Sequence, residues 1–118
     1  MAKILLIDDS IFTLNHYAEM LEKMGHRVLT AEGGEEGIRL FRAEQPDLVF
    51  CDLMMPEMDG FEVFEEIKKG ATKLNFFFVT ADIQEHTRKK AMQLGAKGLV
   101  PKPLTEKMLH EVLKPYGA

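Results

Sequence analysis

The sequence predicts an α/β protein with a doubly wound, five-stranded parallel sheet covered by five helices. Short apolar runs that suit strands buried on both faces alternate strictly with longer segments of helical spacing, which is typical of this class. The chain has 118 residues, 46% of them hydrophobic, and this is enough for one domain with its own core. We therefore expect residues 1–118 to form a single domain without a linker or an internal repeat.

The predicted elements follow one another along the chain. Strands are predicted at 3–7, 26–31, 47–51, 75–79 and 98–100, and helices at about 10–24, 34–44, 60–69, 83–94 and 105–114. In the first helix Leu14, Ala18 and Leu21 share one face, and Gly25 marks the end. Pro101 ends the last strand, which indicates an edge strand because proline cannot donate to a central ladder.

Composition and charge exclude several classes of protein. A net charge of −4 argues against a broad nucleic-acid surface. No apolar stretch approaches the ~20 residues that a bilayer requires, and the start of the chain shows no signal-peptide pattern. The one cysteine cannot form an internal disulfide, which fits a reducing compartment. We expect a cytoplasmic protein that neither inserts into a membrane nor binds nucleic acid directly.

Charged and hydroxyl residues follow the predicted strands. They are Asp8 and Asp9 after the first strand, Asp52 after the third, Thr80 after the fourth and Lys102 after the fifth. Each has a structural explanation when taken singly: the first pair could cap a helix, Asp52 could be a turn residue, and Lys102 could be solvated. However, the carboxyl ends of parallel strands meet at one edge, where ligands bind in such sheets.

Three carboxylates at close range repel one another unless a cation lies between them. Oxygen ligands of this kind suit Mg²⁺, and a carboxylate held beside Mg²⁺ can act as a nucleophile toward phosphorus. Lys102 would then balance part of the remaining negative charge. The sequence therefore indicates a magnesium-dependent phosphoryl site at this edge.

With these residues in view, the chain resembles the receiver domain of two-component response regulators, especially the short stand-alone kind such as the chemotaxis regulator. The resemblance covers the whole chain and implies a flavodoxin-like receiver fold with strand order 2-1-3-4-5. The motifs that carry it are Ile7-Asp8-Asp9-Ser10, Pro46-Asp47-Leu48-Val49, the segment from Asp52 to Gly60, Val79-Thr80-Ala81, the segment from Gly95 to Leu99, and Lys102-Pro103.

The resemblance implies a role for each matching residue. Asp52 corresponds to the phosphoacceptor, and Asp8 and Asp9 to the Mg²⁺-binding pair, with Asp9 as the direct ligand and Asp8 often acting through water. The backbone carbonyl of Met54 would be a further ligand. The Mg²⁺ ion would be the cofactor of this site.

Residues of the last two strands complete the implied site. Thr80 corresponds to the switch hydroxyl and Lys102 to the lysine that pairs with the phosphoryl group. The Lys102–Pro103 bond is expected to be cis, as is frequent in the family. Family members usually carry an aromatic residue three positions before the lysine, where this chain has Leu99, so we expect weaker or differently coupled switching.

The implied function is transfer of a phosphoryl group from a histidine kinase or a histidine phosphotransfer protein to Asp52, followed by a signal to a protein target. Such a protein catalyses only its own phosphorylation and dephosphorylation. Both a chemotaxis-type role and a phosphorelay role fit, and the target stays open. The alternative is an unphosphorylated receiver-like interaction module, against which the intact set of site residues argues.

Other readings of the same fold fit the sequence less well. An aspartyl phosphatase would require a second acid at position 54, which is methionine. A dinucleotide or flavin binder would require a glycine-rich turn where Asp8-Asp9-Ser10 stands.

Some residues have two interpretations. Asp82 could place a water for dephosphorylation or could serve the start of the fourth helix. Phe12, His16 and Met20 should face solvent, either as a docking surface for the kinase or phosphotransfer partner or as scattered apolar residues. Cys51 in a predicted buried strand is read as a small hydrophobe. The histidines show no metal-ligand spacing and are expected at the surface or partly buried.

Overall fold

A computed structural model describes residues 1–117 and shows a five-stranded parallel sheet in the order β2-β1-β3-β4-β5. This confirms the predicted fold class and places β5 at an edge. The strands are β1 (Lys3–Ile7), β2 (Arg27–Ala31), β3 (Leu48–Asp52), β4 (Phe76–Thr80) and β5 (Gly98–Pro101). The helices are α1 (Ile11–Lys23), α2 (Gly34–Glu44), α3 (Gly60–Lys68), α4 (Glu85–Leu94) and α5 (Glu106–Leu113), and a short 3₁₀ turn follows at Lys114–Tyr116.

The predicted and observed boundaries differ by at most two residues, and the differences at β3 and β4 matter for the site. Both strands run one residue further than predicted, so that Asp52 and Thr80 are their last residues. The ladder continues there because the Leu53 N–H donates to the Val79 carbonyl at 3.0 Å and the Lys102 N–H donates to the Thr80 carbonyl at 2.9 Å. The sheet therefore holds the backbones at Asp52 and Thr80 directly.

Alternate residues of each strand enter two separate apolar cores, one on each face of the sheet. In β1, Leu5 and Ile7 join the core beneath α2, α3 and α4, whereas Ile4 and Leu6 join the core beneath α1 and α5. All four side chains are at most 2% exposed. Burial on both faces explains why the strands read as continuous apolar runs.

Helix α2 forms although it contains glycine, which lowers helix propensity. A Cβ at Gly37 would lie 2.5 Å from the Cδ1 atom of Ile7. Glycine at this position therefore lets α2 approach β1, and the local cost is offset by close packing.

His26 is buried, at 6% exposure, where a surface or partly buried residue was expected. Its Nδ1 atom accepts a hydrogen bond from the Ala2 N–H at 3.0 Å, which fixes the neutral ring. Burial, together with the positive charges of the N-terminus and His110, lowers the pKa of His26. The folded state therefore binds a proton less readily than the unfolded chain.

Stability should consequently fall as the pH drops through the unfolded histidine pKa of about 6.5 toward the lower folded pKa. We expect the free energy of unfolding, measured by chemical denaturation at pH 7.5 and 5.5, to depend less on pH in His26→Gln than in the wild type. The exposed His86 offers a matched control, because His86→Gln should keep the wild-type pH dependence. Equal pH dependence in the wild type and His26→Gln would contradict the assignment.

Within residues 1–117, no helix combines the length and the apolar character needed to cross a membrane.

Candidate functional site

The register between β1 and β3 brings two acidic residues side by side. Ile7 pairs with Cys51, so Asp8 and Asp52 follow on adjacent strands at the same height. Both side chains are buried, at 4% and 6% exposure. The prediction that strand ends collect the acidic residues at one edge is confirmed for this pair.

Asp9 completes an acidic cluster with these two residues. One carboxylate oxygen from each of Asp8, Asp9 and Asp52 can be chosen so that all three lie within 4.8 Å of one another. Asp9 is exposed, whereas the other two are buried. Hard oxygen donors at this spacing, open to solvent on one side, fit a Mg²⁺ ion that keeps part of its water shell.

Lys102 lies against the buried part of the cluster. Its Nζ atom is 3.0 Å from Oδ2 of Asp8 and 3.2 Å from Oδ2 of Asp52. Burial lowers the pKa of Lys102, but the hydrogen bonds to the two carboxylates and their charges outweigh burial and raise it overall. Lys102 is therefore held as an ammonium group between the carboxylates.

The second oxygen of each buried carboxylate accepts from the backbone. Oδ1 of Asp8 accepts from the Ser10 N–H at 2.9 Å, and Oδ1 of Asp52 accepts from the Met54 N–H at 3.4 Å. Burial and the charge of Asp8 raise the pKa of Asp52, although Lys102 and the Met54 N–H oppose them. The site thus holds more negative charge than the single lysine balances.

The other predicted site residues also lie at this edge. Thr80 is 1% exposed and is one residue beyond Val79, the partner of Asp52 across β3 and β4. Met54 follows β3, and its side chain is 71% exposed, so an apolar side chain does not fill the site. The Lys102–Pro103 bond is cis, as expected.

Cys51 and Leu99 are both buried beside the site. Burial, with the charges of Asp52 and Asp8, raises the pKa of the Cys51 thiol well above its usual value. A protonated thiol is a poor nucleophile, which favours the reading of Cys51 as a small hydrophobe. Leu99 is 5% exposed and packs in the core beneath α2, α3 and α4.

Asp82 is bound to the start of α4. Its Oδ1 atom accepts from the Gln84 N–H at 3.0 Å, and its Oδ2 atom accepts from the Thr87 hydroxyl at 2.8 Å. These hydrogen bonds lower the pKa of the Asp82 carboxyl. They also explain why α4 begins at Glu85 rather than at 83, and they favour the helix-start interpretation of Asp82 over water placement.

We expect Asp82→Ala to fray the first turn of α4, because a free Gln84 N–H and an unpaired Thr87 hydroxyl would remain. Faster amide hydrogen exchange at the start of α4 would show this. Asp82→Asn, which keeps an acceptor oxygen, should exchange more slowly than Asp82→Ala. The pKa of Asp82 is lower in the folded protein than in the unfolded chain. Its contribution to stability is therefore present above the unfolded pKa of about 3.9 and is lost as the pH falls through the lower folded pKa. Equal exchange in both variants and the wild type would contradict this role.

On α1 the predicted outward face is partly confirmed. Phe12 is 85% exposed and His16 is exposed. Met20 was expected in solvent but is half-buried and packs against the core beneath α1 and α5. That prediction was wrong because this core reaches further round the helix than the narrow face identified by spacing.

Sequence reasoning missed two contacts next to the site. Tyr17 is only 6% exposed, and its hydroxyl accepts from the Leu104 N–H at 3.1 Å. Gly60 lies where a Cβ would be 2.7 Å from the Asp52 carbonyl oxygen. Local patterns in the sequence do not signal a contact between residues that are 87 positions apart.

The family model described as the response regulator receiver domain matches residues 4–114. The chain belongs to the receiver domain family. Protein PilH of Pseudomonas aeruginosa is 38% identical over 111 residues, with 92% of each chain covered. Receiver domains act in two-component signalling, so this chain is a signalling protein rather than an enzyme that turns over a separate substrate.

Solved receiver structures agree with the fold. A receiver domain protein from Clostridium thermocellum has a TM-score of 0.91 at 32% identity, covering 98% of this chain and 93% of that one. A chain in the crystal structure of the CheX–CheY–BeF₃–Mg²⁺ complex from Borrelia burgdorferi has a TM-score of 0.89 at 28% identity, covering 98% of this chain and 90% of that one. The likeness therefore extends over nearly the whole receiver domain.

Proposed function

We propose that this receiver domain is a phosphoacceptor that takes a phosphoryl group from the phosphohistidine of a kinase or phosphotransfer protein. The observation that carries the proposal is the clustering of the Asp8, Asp9 and Asp52 carboxylates, with the Lys102 ammonium in contact with two of them. Asp52 is the proposed acceptor, because it ends a buried strand and its Oδ2 atom lies 3.2 Å from the Lys102 Nζ atom.

The residues fit a Mg²⁺ ion. Asp8, Asp9 and Asp52 would hold it, and the Met54 carbonyl is a further proposed ligand. Three carboxylates facing one ammonium leave an excess of two negative charges, which a divalent cation would offset. When bound, Mg²⁺ would neutralise charge on the transferring phosphoryl oxygens.

Each side chain then has a task. A carboxylate oxygen of Asp52 attacks phosphorus in line, and the bond from phosphorus to the histidine nitrogen breaks. Lys102 places positive charge beside the incoming phosphoryl oxygens. The Thr80 oxygen accepts from the Asp82 N–H at 3.1 Å, which leaves its hydroxyl proton to donate toward a phosphoryl oxygen.

We further propose that residues 1–118 form one cytoplasmic domain that passes its signal to a protein by a conformational change. The exposed Phe12 and His16 lie on α1, which begins next to the acidic cluster, and would contact the kinase or phosphotransfer partner. The CheX–CheY complex of Borrelia burgdorferi is an example of a similar chain bound to a protein. Both a chemotaxis-type and a phosphorelay output are compatible with this proposal.

The test is the intact mass of the protein after incubation with acetyl phosphate. We expect a gain of one phosphoryl group with Mg²⁺ and no gain when the ion is chelated. An unchanged mass with Mg²⁺ would overturn the proposal and favour the unphosphorylated interaction module. A parallel titration of the unphosphorylated protein with Mg²⁺ would then show whether the acidic cluster binds the ion.

A further inference from the structure

The loop between β5 and α5 carries Lys102, and two backbone contacts outside the loop hold it. The Lys102 N–H donates to the Thr80 carbonyl at 2.9 Å, and the Leu104 N–H donates to the Tyr17 hydroxyl at 3.1 Å. Pro103, between them, has no N–H to donate. The Tyr17 contact is therefore the anchor of this loop on the α5 side of Lys102.

Tyr17 makes this contact from the buried face of α1. Its side chain is 6% exposed, and Leu104 is 2% exposed, so water does not readily replace a lost partner. Tyr17 and Leu104 also line the small cavity beneath the Asp8 and Asp52 carboxylates. The anchor thus borders the same cavity as the two carboxylates that Lys102 contacts.

We propose that Tyr17 is a positioning residue for Lys102. By accepting from the Leu104 N–H, it holds the loop so that the lysine ammonium stays within 3.0 Å of Asp8 and 3.2 Å of Asp52. A lysine side chain has many rotamers, so its charge is placed well only if its backbone is held. The effect of Tyr17 on the rate of phosphorylation rests on the proposed function. The effect of Tyr17 on the position of Lys102 does not depend on it.

Replacing Tyr17 with phenylalanine isolates the anchor. The ring stays in the core, while the Leu104 N–H loses its partner. Tyr116→Phe is the matched control. The ring centroids of Tyr116 and Phe77 are 6.3 Å apart, and within residues 1–117 the Tyr116 hydroxyl makes no hydrogen bond.

The kinetic test measures the rate of phosphorylation by acetyl phosphate with Mg²⁺. Tyr17→Phe should lower the rate about fivefold, the equivalent of one lost hydrogen bond, whereas Tyr116→Phe should not change it. In a Lys102→Ala background, Tyr17→Phe should cause no additional loss, because its effect passes through the lysine. An unchanged rate for Tyr17→Phe, or an equal loss in both backgrounds, would overturn the proposal.

A structural readout separates this inference from the proposed function. Nuclear magnetic resonance relaxation of the Lys102 side chain should show greater mobility in Tyr17→Phe than in the wild type or Tyr116→Phe. If the wild type accepts no phosphoryl group, the proposed function fails. The relaxation data would still test whether Tyr17 restrains the Lys102 side chain. Unaltered Lys102 mobility in Tyr17→Phe would refute the anchor whatever the kinetics show.

Discussion

Asp52→Asn should abolish the magnesium-dependent gain of a phosphoryl group from acetyl phosphate. The amide is close in size to the carboxylate but cannot serve as the nucleophile, and it removes one of the three negative charges of the cluster. Because burial and the Asp8 charge raise the pKa of Asp52, its ionised form is disfavoured in the folded state. Without Mg²⁺ the variant should therefore unfold no more easily than the wild type, so lost activity would not reflect lost structure.

The matched control is Asp47→Asn. Asp47 precedes β3 at the opposite end of the strand, where its Oδ2 atom accepts from the Lys3 N–H at 2.8 Å. The charge change equals that of Asp52→Asn, but it lies away from the cluster. The gain in mass on incubation with acetyl phosphate, and the rate of phosphorylation, should match those of the wild type. Phosphorylation of Asp52→Asn would show that Asp52 is not the acceptor, and loss of phosphorylation in both variants would show that the loss is not specific to Asp52.

Gly60→Ala should lower the free energy of unfolding by about 3 kcal/mol, at the upper end of the range for overpacked sites. A Cβ there would lie 2.7 Å from the carbonyl oxygen of Asp52 and 2.9 Å from the Cα of Leu53. Both are backbone atoms of the strand end, so neither can rotate away. The start of α3 must move, and the Gly60 N–H would lose its 2.8 Å bond to the Leu53 carbonyl.

Chemical denaturation measures this loss, and Gly33→Ala is the control. A Cβ at Gly33 meets no atom within 4 Å, and its extended backbone suits any residue. Because Gly33 is the N-cap of α2, where glycine is preferred to alanine, alanine there should cost about 0.5–1 kcal/mol, well below the loss expected at Gly60. The altered contact between α3 and the backbone at Asp52 should also weaken Mg²⁺ binding in Gly60→Ala but not in Gly33→Ala. A Gly60→Ala variant as stable as Gly33→Ala would contradict the close approach.

Much of the fold and the site could be predicted because the informative patterns are local. Apolar runs identified the strands, and a polar residue at the end of each strand sufficed to place Asp8, Asp52 and Lys102 at one edge. The edge position of β5 also followed from a single proline. The strand order itself came from the family resemblance and not from periodicity.

Burial was harder to predict where a residue lay beside the core face of a helix or next to a strand. Met20 was assigned to solvent from helical angles, yet it packs against the core beneath α1 and α5. His26 carries no sequence signal that it will accept from the Ala2 N–H. In both cases the neighbours come from another element, so local spacing cannot show them.

The sequence by itself determined which chemical groups this protein has and at which strand ends they stand, because strand and helix periods are written in adjacent residues. Only the tertiary structure decided how those groups are held. The Lys102 ammonium touches two carboxylates from different strands, and the loop that carries it is anchored by Tyr17, 87 residues before Leu104. Such contacts depend on how the elements pack, and packing distances of a few ångströms are set by the whole core together.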